Sequence, residues 1–443
     1  QGLGHLQLVF VPIPPLIMLM VYEIATRAGQ HRRWIVLAAL VVLQFFISSE
    51  VLASTLVVTA LGLVIGAALF PAPARERIAP VAASLAKAGA VVAVVLAYPA
   101  WYFIRGPAHV SGVIQTTSLY RADLLGPIVP NSMLQLHVPA WTVTSDMFAG
   151  ALSENGSYLG IPLIVLVLVG VVVLWRRVPV LRVIALVSLA AFILSLGSRL
   201  VVWHHVTPIP LPEAIIDHLP LFDNAVTARY SLYVALGAAA ILAIVLDHVH
   251  AHYRTGDRPD RTPARVRSVA WMAPLLLAVI VAIPLIPAWP YTLTTSQVPA
   301  YFNSPLVDAI PTGSVAVLYP SPSAPNSTSE LWQLASGLRF KTPNGHFVVP
   351  SPGHPPVLPG FHSTLIATAL IDLENGTPLP ETPAMRARLL AQLHSWKVRS
   401  VLVSPTGAKP GLVVPYFVWL LGRRADVRQG GIHAWYRSSG DPW

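Results

Sequence analysis

The sequence predicts a polytopic α-helical membrane protein with about eight transmembrane helices, followed by an extracytoplasmic α/β domain. Of its 443 residues, 54% are hydrophobic and 11% are charged, whereas a soluble domain carries about a quarter charged residues. Apolar runs of roughly 17 to 25 residues, long enough to cross about 30 Å of hydrocarbon as helices, recur as far as Pro290 and then stop. We therefore expect a transmembrane helical domain over residues 1–290 and an α/β domain over residues 291–443.

The first four spans are predicted from apolar runs with basic or very short connectors. These runs cover residues 6–25, 34–48, 51–70 and 88–104. Prolines at positions 12, 14 and 15 are expected to break or kink the opening turn of the first run. Only two residues separate the second run from the third, which predicts a tight hairpin, and a basic loop is predicted before the fourth.

The other four spans are predicted around two long polar loops. The runs cover residues 159–175, 183–196, 231–249 and 268–289, and the loops cover residues 105–158 and 197–230. The first loop is far longer than a turn between spans requires. Because long loops on a rigid scaffold usually carry function, we expect candidate site residues there.

The distribution of Lys and Arg predicts the orientation. Four short connectors hold fourteen of these residues, whereas the two long loops hold only Arg105, Arg121, Arg199 and Arg229. Because cytoplasmic loops retain Lys and Arg, we expect Gln1, both long loops and the C-terminal domain on the outer side of the plasma membrane. The same distribution accounts for the net charge of +10 without nucleic acid as a partner, since the basic residues form no single stripe.

Beyond residue 290 the sequence alternates short strands with amphipathic helices. Residues 314–319, 400–404 and 432–436 predict strands, and residues 383–396 predict a helix with one apolar face. The apolar residues 411–421 cover only about half the length of a span, so we expect a buried helix. With no Cys in the chain, this domain is expected to depend on its core alone.

Among the ionisable residues, Glu50 is the strongest candidate for a functional role. It lies between two short apolar runs, so its carboxylate must sit near the outer interface or in a cavity. One interpretation is that it caps the third helix together with Ser48 or Ser49. The other is a functional role in a cavity, and the sequence leaves both open.

The first long loop supplies several further ionisable residues. They are His109, Arg121, Asp123, Asp146 and Glu154. Residues 120–125 look like the start of an interfacial helix. On such a helix Arg121 and Asp123 either contribute to a site or simply solvate one face.

The second long loop places Arg229 at the mouth of the seventh predicted span. An arginine there can bind a phosphate through two parallel hydrogen bonds, or it can snorkel or pair with Asp223. The proline-rich residues 208–221 are expected to lie along the interface. The adjacent His204 and His205 are expected to point apart, which argues against a metal site.

Short motifs spread along the chain resemble those of one group of membrane proteins. The motifs are GHL at residues 4–6, FISSEVL at 46–52, GPAHVSG at 106–112, ENGSYLGIP at 154–162, LPLFDN at 219–224, ARY at 228–230, LWQ at 331–333 and RF at 339–340. Together they look like large membrane proteins of high-GC Gram-positive bacteria that resemble the GT-C glycosyltransferase superfamily. The chain holds none of the common soluble-enzyme motifs, such as a P-loop or a nucleophile elbow.

The resemblance implies transfer of a sugar from a polyprenyl-phosphate donor to a cell-envelope glycan or glycolipid at the outer face of the bilayer. GT-C enzymes use an acidic residue of their first outer loop, which would lie before Gln1, and we expect further sequence upstream. Within this chain the implied bases are Glu50, Asp123 and Asp223.

The resemblance also implies partners for phosphate and acceptor. The implied phosphate partners are Arg121, Arg229 and His109. Trp332, with Tyr301 and Trp435, is a candidate surface for stacking an acceptor sugar, and the alternative is that these aromatic residues belong to a core. A divalent metal is compatible with this chemistry, but no metal ligand is assigned in the chain.

Two other functions compete with the glycosyltransferase hypothesis. A transporter or flippase of lipid-linked glycans would favour internal repeats and charges buried in mid-span, and the sequence has neither. A non-catalytic envelope scaffold stays open, because the loop that would carry the family's acidic residue lies upstream of Gln1.

Overall fold

The computed structural model forms two compact units. The helical unit comprises Gln1–Arg105 and Gln115–Tyr291, and the C-terminal unit comprises Gly106–Ile114 and Thr292–Trp443. The described residues are 8, 10–27, 32–107, 109, 119–150, 156–216, 226–254, 272–290, 297–322, 327–343, 345, 348, 364–438 and 440–443. The division after Tyr291 lies next to the predicted domain boundary, whereas the sequence did not predict that residues 106–114 belong with the C-terminal unit.

The helical unit begins with four consecutive helices. They are α1 (Ile13–Thr26), α2 (Arg33–Ile47), α3 (Ser49–Leu69) and α4 (Pro71–Arg105). The prolines at the start of α1 lie at its N-cap and in its first turn, where a missing N–H costs no helical hydrogen bond, so they start the helix instead of kinking it.

The predicted basic loop between the third and fourth spans is wrong. Helix α4 runs unbroken for 35 residues, and Phe70 alone separates it from α3. At 1.5 Å per residue its length is about 50 Å, well beyond the roughly 30 Å of a hydrocarbon core. Arg75, Arg77 and Lys87 therefore lie on a helix that extends past the bilayer.

The rest of the helical unit combines apolar helices with a small hairpin. The helices are α5 (Pro139–Asp146), α6 (Ile161–Leu174), α7 (Pro179–Ser195), α8 (Glu213–Ile216), α9 (Ser231–Arg254) and α10 (Ala273–Ala282). Two 3₁₀ turns, Thr227–Tyr230 before α9 and Ile283–Leu285 after α10, extend these helices. Strands β1 (Arg199–Val202) and β2 (His205–Pro210) pair in antiparallel fashion.

The helix predicted to start within residues 120–125 is also wrong. Residues 121–123 have no regular structure. Instead, the backbone N–H of Ala122 donates to the carbonyl of Ser195 at the end of α7 (2.9 Å), and that of Leu124 donates to Val201 of β1 (2.9 Å). These long-range hydrogen bonds take the donors that a helix would need.

Among the described residues, three helices are long and apolar enough to cross a membrane, judged by their length and composition. They are Ser49–Leu69, Pro71–Arg105 and Thr227–Ala251. Five further apolar helices of this unit have 10 to 17 residues. Membrane association is thus supported by three helices, and the remaining predicted spans stay a prediction.

The helices of this unit pack against one another in separate hydrophobic clusters. Ile17 of α1, Leu37 of α2 and Ala88 of α4 share one cluster, while α3, α7 and α9 meet around Val58 and Ala191. Gly237 of α9 faces Ser188 of α7 so closely that any Cβ there would overlap the hydroxyl. Small residues at such crossings let helix backbones approach, as is common in membranes.

The C-terminal unit is built on one four-stranded sheet in the order β3-β4-β6-β5. Its strands are β3 (Val315–Tyr319), β4 (Val398–Val403), β5 (Val427–Gln429) and β6 (Ile432–Tyr436), and only the β3–β4 pair is parallel. Its helices are α11 (Glu330–Ala335), α12 (Leu365–Glu374), α13 (Pro383–Ser395) and α14 (Pro410–Leu421). The predicted strands, the predicted amphipathic helix and the predicted buried helix are all confirmed, whereas the sequence missed β5 and α12.

Candidate functional site

Polar side chains meet at the ends of α3, α7 and α9. Glu50, Arg121, Asp123, Arg199 and Arg229 belong to this group, which we call the polar cluster. The carbonyl of Tyr120 accepts hydrogen bonds from the hydroxyl of Thr227 and the N–H of Ala228, both at 3.1 Å. Segments from both long loops are thereby fixed against the start of α9.

Glu50 and Arg229 form an ion pair across this junction. Oε2 of Glu50 accepts a hydrogen bond from Nη1 of Arg229, and Oε1 accepts one from the backbone N–H of Val226 at 3.3 Å. The arginine side chain is 15% exposed and the glutamate side chain 38%. The sequence did not predict Glu50 as the partner of Arg229, and Asp223, which it did suggest, lies outside the described residues.

Glu50 also lies in the first turn of α3, as the capping interpretation requires. The cap itself is Ser48, whose hydroxyl accepts the N–H of Val51 at 3.2 Å. A carboxylate in this turn is favoured by the positive end of the helix. The two interpretations of Glu50 are therefore compatible, because its side chain extends from the capped turn into the ion pair.

A network of hydroxyl groups next to the ion pair links helices α3 and α9. The hydroxyl of Tyr233 donates to the carbonyl of Val51 at 3.1 Å and lies 2.8 Å from Ser54 Oγ and 2.9 Å from Thr55 Oγ1. Tyr233 is buried on α9, and both hydroxyl partners lie on α3. The network fixes the two helices that carry Glu50 and Arg229.

Asp123 is buried and holds the β1–β2 hairpin. Its Oδ1 accepts the N–H groups of Leu125 (2.9 Å) and Trp203 (3.1 Å), and its Oδ2 accepts that of His204 (2.7 Å). Trp203 and His204 form the hairpin turn with φ values of 52° and 59°, the left-handed region that a two-residue hairpin turn requires. This geometry favours a structural role for Asp123.

The same turn brings the two neighbouring histidines together. The rings of His204 and His205 lie 4.1 Å apart between centroids, so the expectation that they point apart is wrong. The left-handed backbone at His204 removes the alternation of a regular strand. Among the described residues no group of three His, Asp or Glu side chains is placed to hold a metal ion.

Arg121 is a member of the cluster whose positive charge has no anionic partner among the described residues. Within the described chain it has no hydrogen bond or ion pair, and its Nε is buried without an acceptor. Its side chain passes Gly197, where a Cβ would lie 3.0 Å from the Arg121 Cβ. Burial, together with the positive charge of Arg199, lowers the pKa of the Arg121 guanidinium. Two neighbouring cations that lack an anionic partner in the described chain create a site that favours an anion.

The remaining candidates lie elsewhere. His109 belongs to the C-terminal unit, where its backbone N–H donates to Gly106 at 2.9 Å. Asp146 is exposed at the end of α5. Asp223 and Glu154 lie outside the described residues, so no distance relates them to Glu50.

The three aromatic residues considered for an acceptor sugar are buried. Trp332 is 2% exposed and stacks on Phe302 at 5.1 Å, and Tyr301 and Trp435 are fully buried on opposite sides of the sheet. This burial favours the core interpretation. A sugar cannot stack on these rings in the present conformation.

Sequence reasoning missed the contributions of Arg199 and Tyr233. Arg199 contributed only to the predicted orientation of the chain in the membrane. An arginine in a loop with few cations is nevertheless itself a signal for an anion-binding site. Tyr233 lies four residues after Arg229, a spacing that puts both on one face of a helix. That spacing was a usable signal.

Comparisons of this chain with protein-family models, with curated proteins and with solved structures find no match. Any function is therefore argued from the geometry and chemistry of the polar cluster.

Proposed function

We propose that this chain is a multi-pass membrane glycosyltransferase of the GT-C type, which moves a sugar from a polyprenyl-phosphate donor to a cell-envelope acceptor at the outer face of the plasma membrane. The observation that carries the proposal is Arg121, a partly buried cation beside Arg199 without an anionic partner in the described chain. It lies where loops meet the ends of apolar helices, the level at which a lipid-linked phosphate would sit.

Arg121 is the favoured partner of the leaving phosphate. Departure of a polyprenyl phosphate develops negative charge on its oxygens, which a fixed guanidinium stabilises. The charge of Arg229 is balanced by Glu50, whereas that of Arg121 adds to the charge of Arg199. The net positive potential is therefore centred on Arg121 and Arg199, and His109 remains a further candidate.

Glu50 is the favoured base of the described residues. Its carboxylate is more exposed than the arginine it pairs with, so an acceptor hydroxyl has access to its oxygens. Arg229 holds the carboxylate in a fixed orientation, and a base for the acceptor hydroxyl must be positioned in this way. Asp123 is less suited because both its oxygens accept backbone N–H groups, while Asp223 stays a candidate.

A non-catalytic scaffold is the second candidate function. In the described part of the polar cluster, both oxygens of Glu50 and both oxygens of Asp123 already accept hydrogen bonds from the protein. Carboxylates whose oxygens all accept hydrogen bonds within the protein suit a structural junction. In that case the chain would hold other envelope enzymes and transfer no sugar.

The test uses the full-length protein in lipid nanodiscs, with labelled polyprenyl phosphate as a binding probe and a polyprenyl-phosphate-linked pentose or hexose as donor. Loss of one preorganised donor group typically costs about 100-fold in rate, so we expect Arg121→Ala to reduce transfer by about that factor and to weaken polyprenyl-phosphate binding. Arg121→Lys should recover only part, because a lysine cannot reproduce the bidentate contact.

Arg388→Ala is the matched control, because Arg388 is an exposed arginine on α13 of the C-terminal unit. It should bind and transfer like the wild type. Unchanged polyprenyl-phosphate binding in Arg121→Ala would remove the phosphate role. Normal binding without any transfer by the wild type would favour the scaffold.

A further inference from the structure

The first long loop contains a segment in which large apolar side chains are exposed and two polar side chains are buried. Residues 136–147 include α5, and five of their large apolar side chains are between 40% and 62% exposed. These are Leu136, Val138, Trp141, Val143 and Met147. Thr144 and Ser145 of the same segment are buried. The segment thus exposes most of its large apolar side chains, together with those of His137 and Asp146, while it buries two hydroxyl groups.

This pattern of exposed and buried side chains follows from the helical geometry of α5. Val143 and Met147 are four residues apart and share one face, and Ser145 lies on the opposite face. The buried hydroxyl of Ser145 donates to the carbonyl of Thr142 at 3.0 Å, so its burial leaves no unsatisfied donor. An exposed apolar face of this kind is unusual on a surface that contacts water.

Backbone hydrogen bonds fix this segment to the end of an apolar helix. The N–H of Gln135 donates to the carbonyl of Ile286, and that of Ala288 donates to Met133, both at 2.8 Å. Residue 286 directly follows the 3₁₀ turn that ends α10. The segment therefore lies at the level where α10 ends.

A cleft of about 370 Å³ places the segment beside α6 as well. Leu136 and Trp141 line one side, and Ile161 and Pro162 at the start of α6 line the other. The adjoining apolar side chains of α6 and α10 are themselves largely exposed, among them Leu168 and Leu276 at 60% each. The exposed apolar side chains of the segment thus lie beside helices α6 and α10, whose own apolar side chains are exposed.

We propose that residues 136–147 form an interfacial element that lies in the bilayer surface, with its apolar face covered by lipid. Lipid is the occupant that the surroundings favour, because the same apolar surface continues onto α6 and α10. A tryptophan at this level is typical of the membrane interface, and a short amphipathic helix can bury its apolar face at the boundary of headgroups and acyl chains. The inference rests on the membrane part of the proposed function and not on sugar transfer.

The test uses single-cysteine variants of the full-length protein in nanodiscs. Residues 1–443 contain no Cys, and any Cys outside them is first replaced by Ser. Val143→Cys and Met147→Cys probe the segment, and both replace exposed side chains, so little packing is lost. Val172→Cys, at a 78% exposed position of α6, is the control for the bilayer interior. Arg388→Cys is the control for water.

In both probe variants we expect a membrane-impermeant maleimide to react about tenfold more slowly than in Arg388→Cys, as burial at the headgroup boundary implies. A fluorophore at residue 143 or 147 should be quenched more by nitroxide near the lipid headgroup than by nitroxide deep in the acyl chain. The order should be reversed at residue 172.

Reaction as fast as in Arg388→Cys would show a surface in water and overturn the proposal. Slow reaction without quenching by lipid would show that protein covers the face, which also overturns it. If residue 172 were not quenched either, the membrane placement itself would fail. Because no readout depends on sugar transfer, these outcomes are separate from failure of the enzymatic proposal.

Discussion

Arg121 and Arg229 carry the same charge, but their neighbours give them different chemistry. Arg229 is paired with Glu50, a residue 179 positions away in the chain. Arg121 lies beside a second arginine and has no anion opposite it in the described chain. The sequence identified both as phosphate candidates, because residue type and loop position are the same. Only the contacts in the structure distinguish Arg229, which positions Glu50, from Arg121, which we propose to bind phosphate.

Asp123 gives a prediction at the same scale. In Asp123→Asn one carboxylate oxygen becomes an NH₂ group, which faces N–H donors of the turn where the aspartate accepted them. Losing buried hydrogen bonds to a charged acceptor costs about 1–3 kcal/mol. We expect a lower midpoint of thermal unfolding of the helical unit in detergent, and faster proteolysis within the β1–β2 hairpin.

Asp146→Asn is the control for this substitution, since Asp146 is exposed on α5. Its thermal midpoint should equal that of the wild type. If Asp123→Asn were equally stable but inactive in sugar transfer, the carboxylate would act in chemistry and the structural role would be wrong.

At the scale of elements, the contact between α3 and α9 depends on one phenol. Removing the hydroxyl in Tyr233→Phe leaves the carbonyl of Val51 and the hydroxyls of Ser54 and Thr55 without this partner. A buried hydrogen bond contributes about 1 kcal/mol, and the Val51 carbonyl keeps its hydrogen bonds from the hydroxyls of Ser54 and Thr55. We expect a loss of thermal stability, together with weaker sugar transfer because Glu50 and Arg229 lose their fixed separation.

Tyr98→Phe is the matched control, because Tyr98 is 70% exposed on α4. Equal stability of the two variants would contradict the proposed role of the Tyr233 hydroxyl in fixing the two helices.

The long helix α4 shows why a hydropathy profile can miss part of a helix. Residues 71–87 are too polar for a span, so the sequence suggested a loop. They are nevertheless rich in alanine with arginine and glutamate, which are strong helix formers. Arg77 also donates to the carbonyls of Ile24 (3.0 Å) and Arg27 (2.8 Å) at the end of α1, which fixes this part of α4 beside the basic connector.

At the scale of the whole molecule, Asp441 makes the stability of the C-terminal unit depend on pH. Although burial opposes its ionisation, hydrogen bonds from Ser438 and from Arg423 lower the pKa of Asp441 below its ordinary value of 3.8. A depressed pKa stabilises the fold above the unfolded value, and this stabilisation is lost as pH falls through the folded value. We expect the C-terminal unit to lose stability below about pH 4.

Thermal unfolding of the full-length protein followed by near-ultraviolet circular dichroism between pH 7 and pH 3 measures this loss. Asp441→Asn should be less stable at pH 7 and should flatten the pH dependence. Glu381→Gln, at an exposed position before α13, should keep the wild-type profile. A profile for Asp441→Asn identical to that of the wild type would assign the acid sensitivity to other groups.

The sequence by itself determined the apolar helices, three of the four strands of the C-terminal unit and the ionisable residues of the two long loops. Hydropathy and periodicity are local properties, so they can be read without knowing the fold. The tertiary structure decided which of those residues meet: Glu50 with Arg229, Asp123 with the hairpin turn, and Arg121 with Arg199. It also turned the apolar face of residues 136–147 outward. The physical reason is that hydrogen bonds and ion pairs act over a few ångströms between segments far apart in the chain, and only the fold sets those distances.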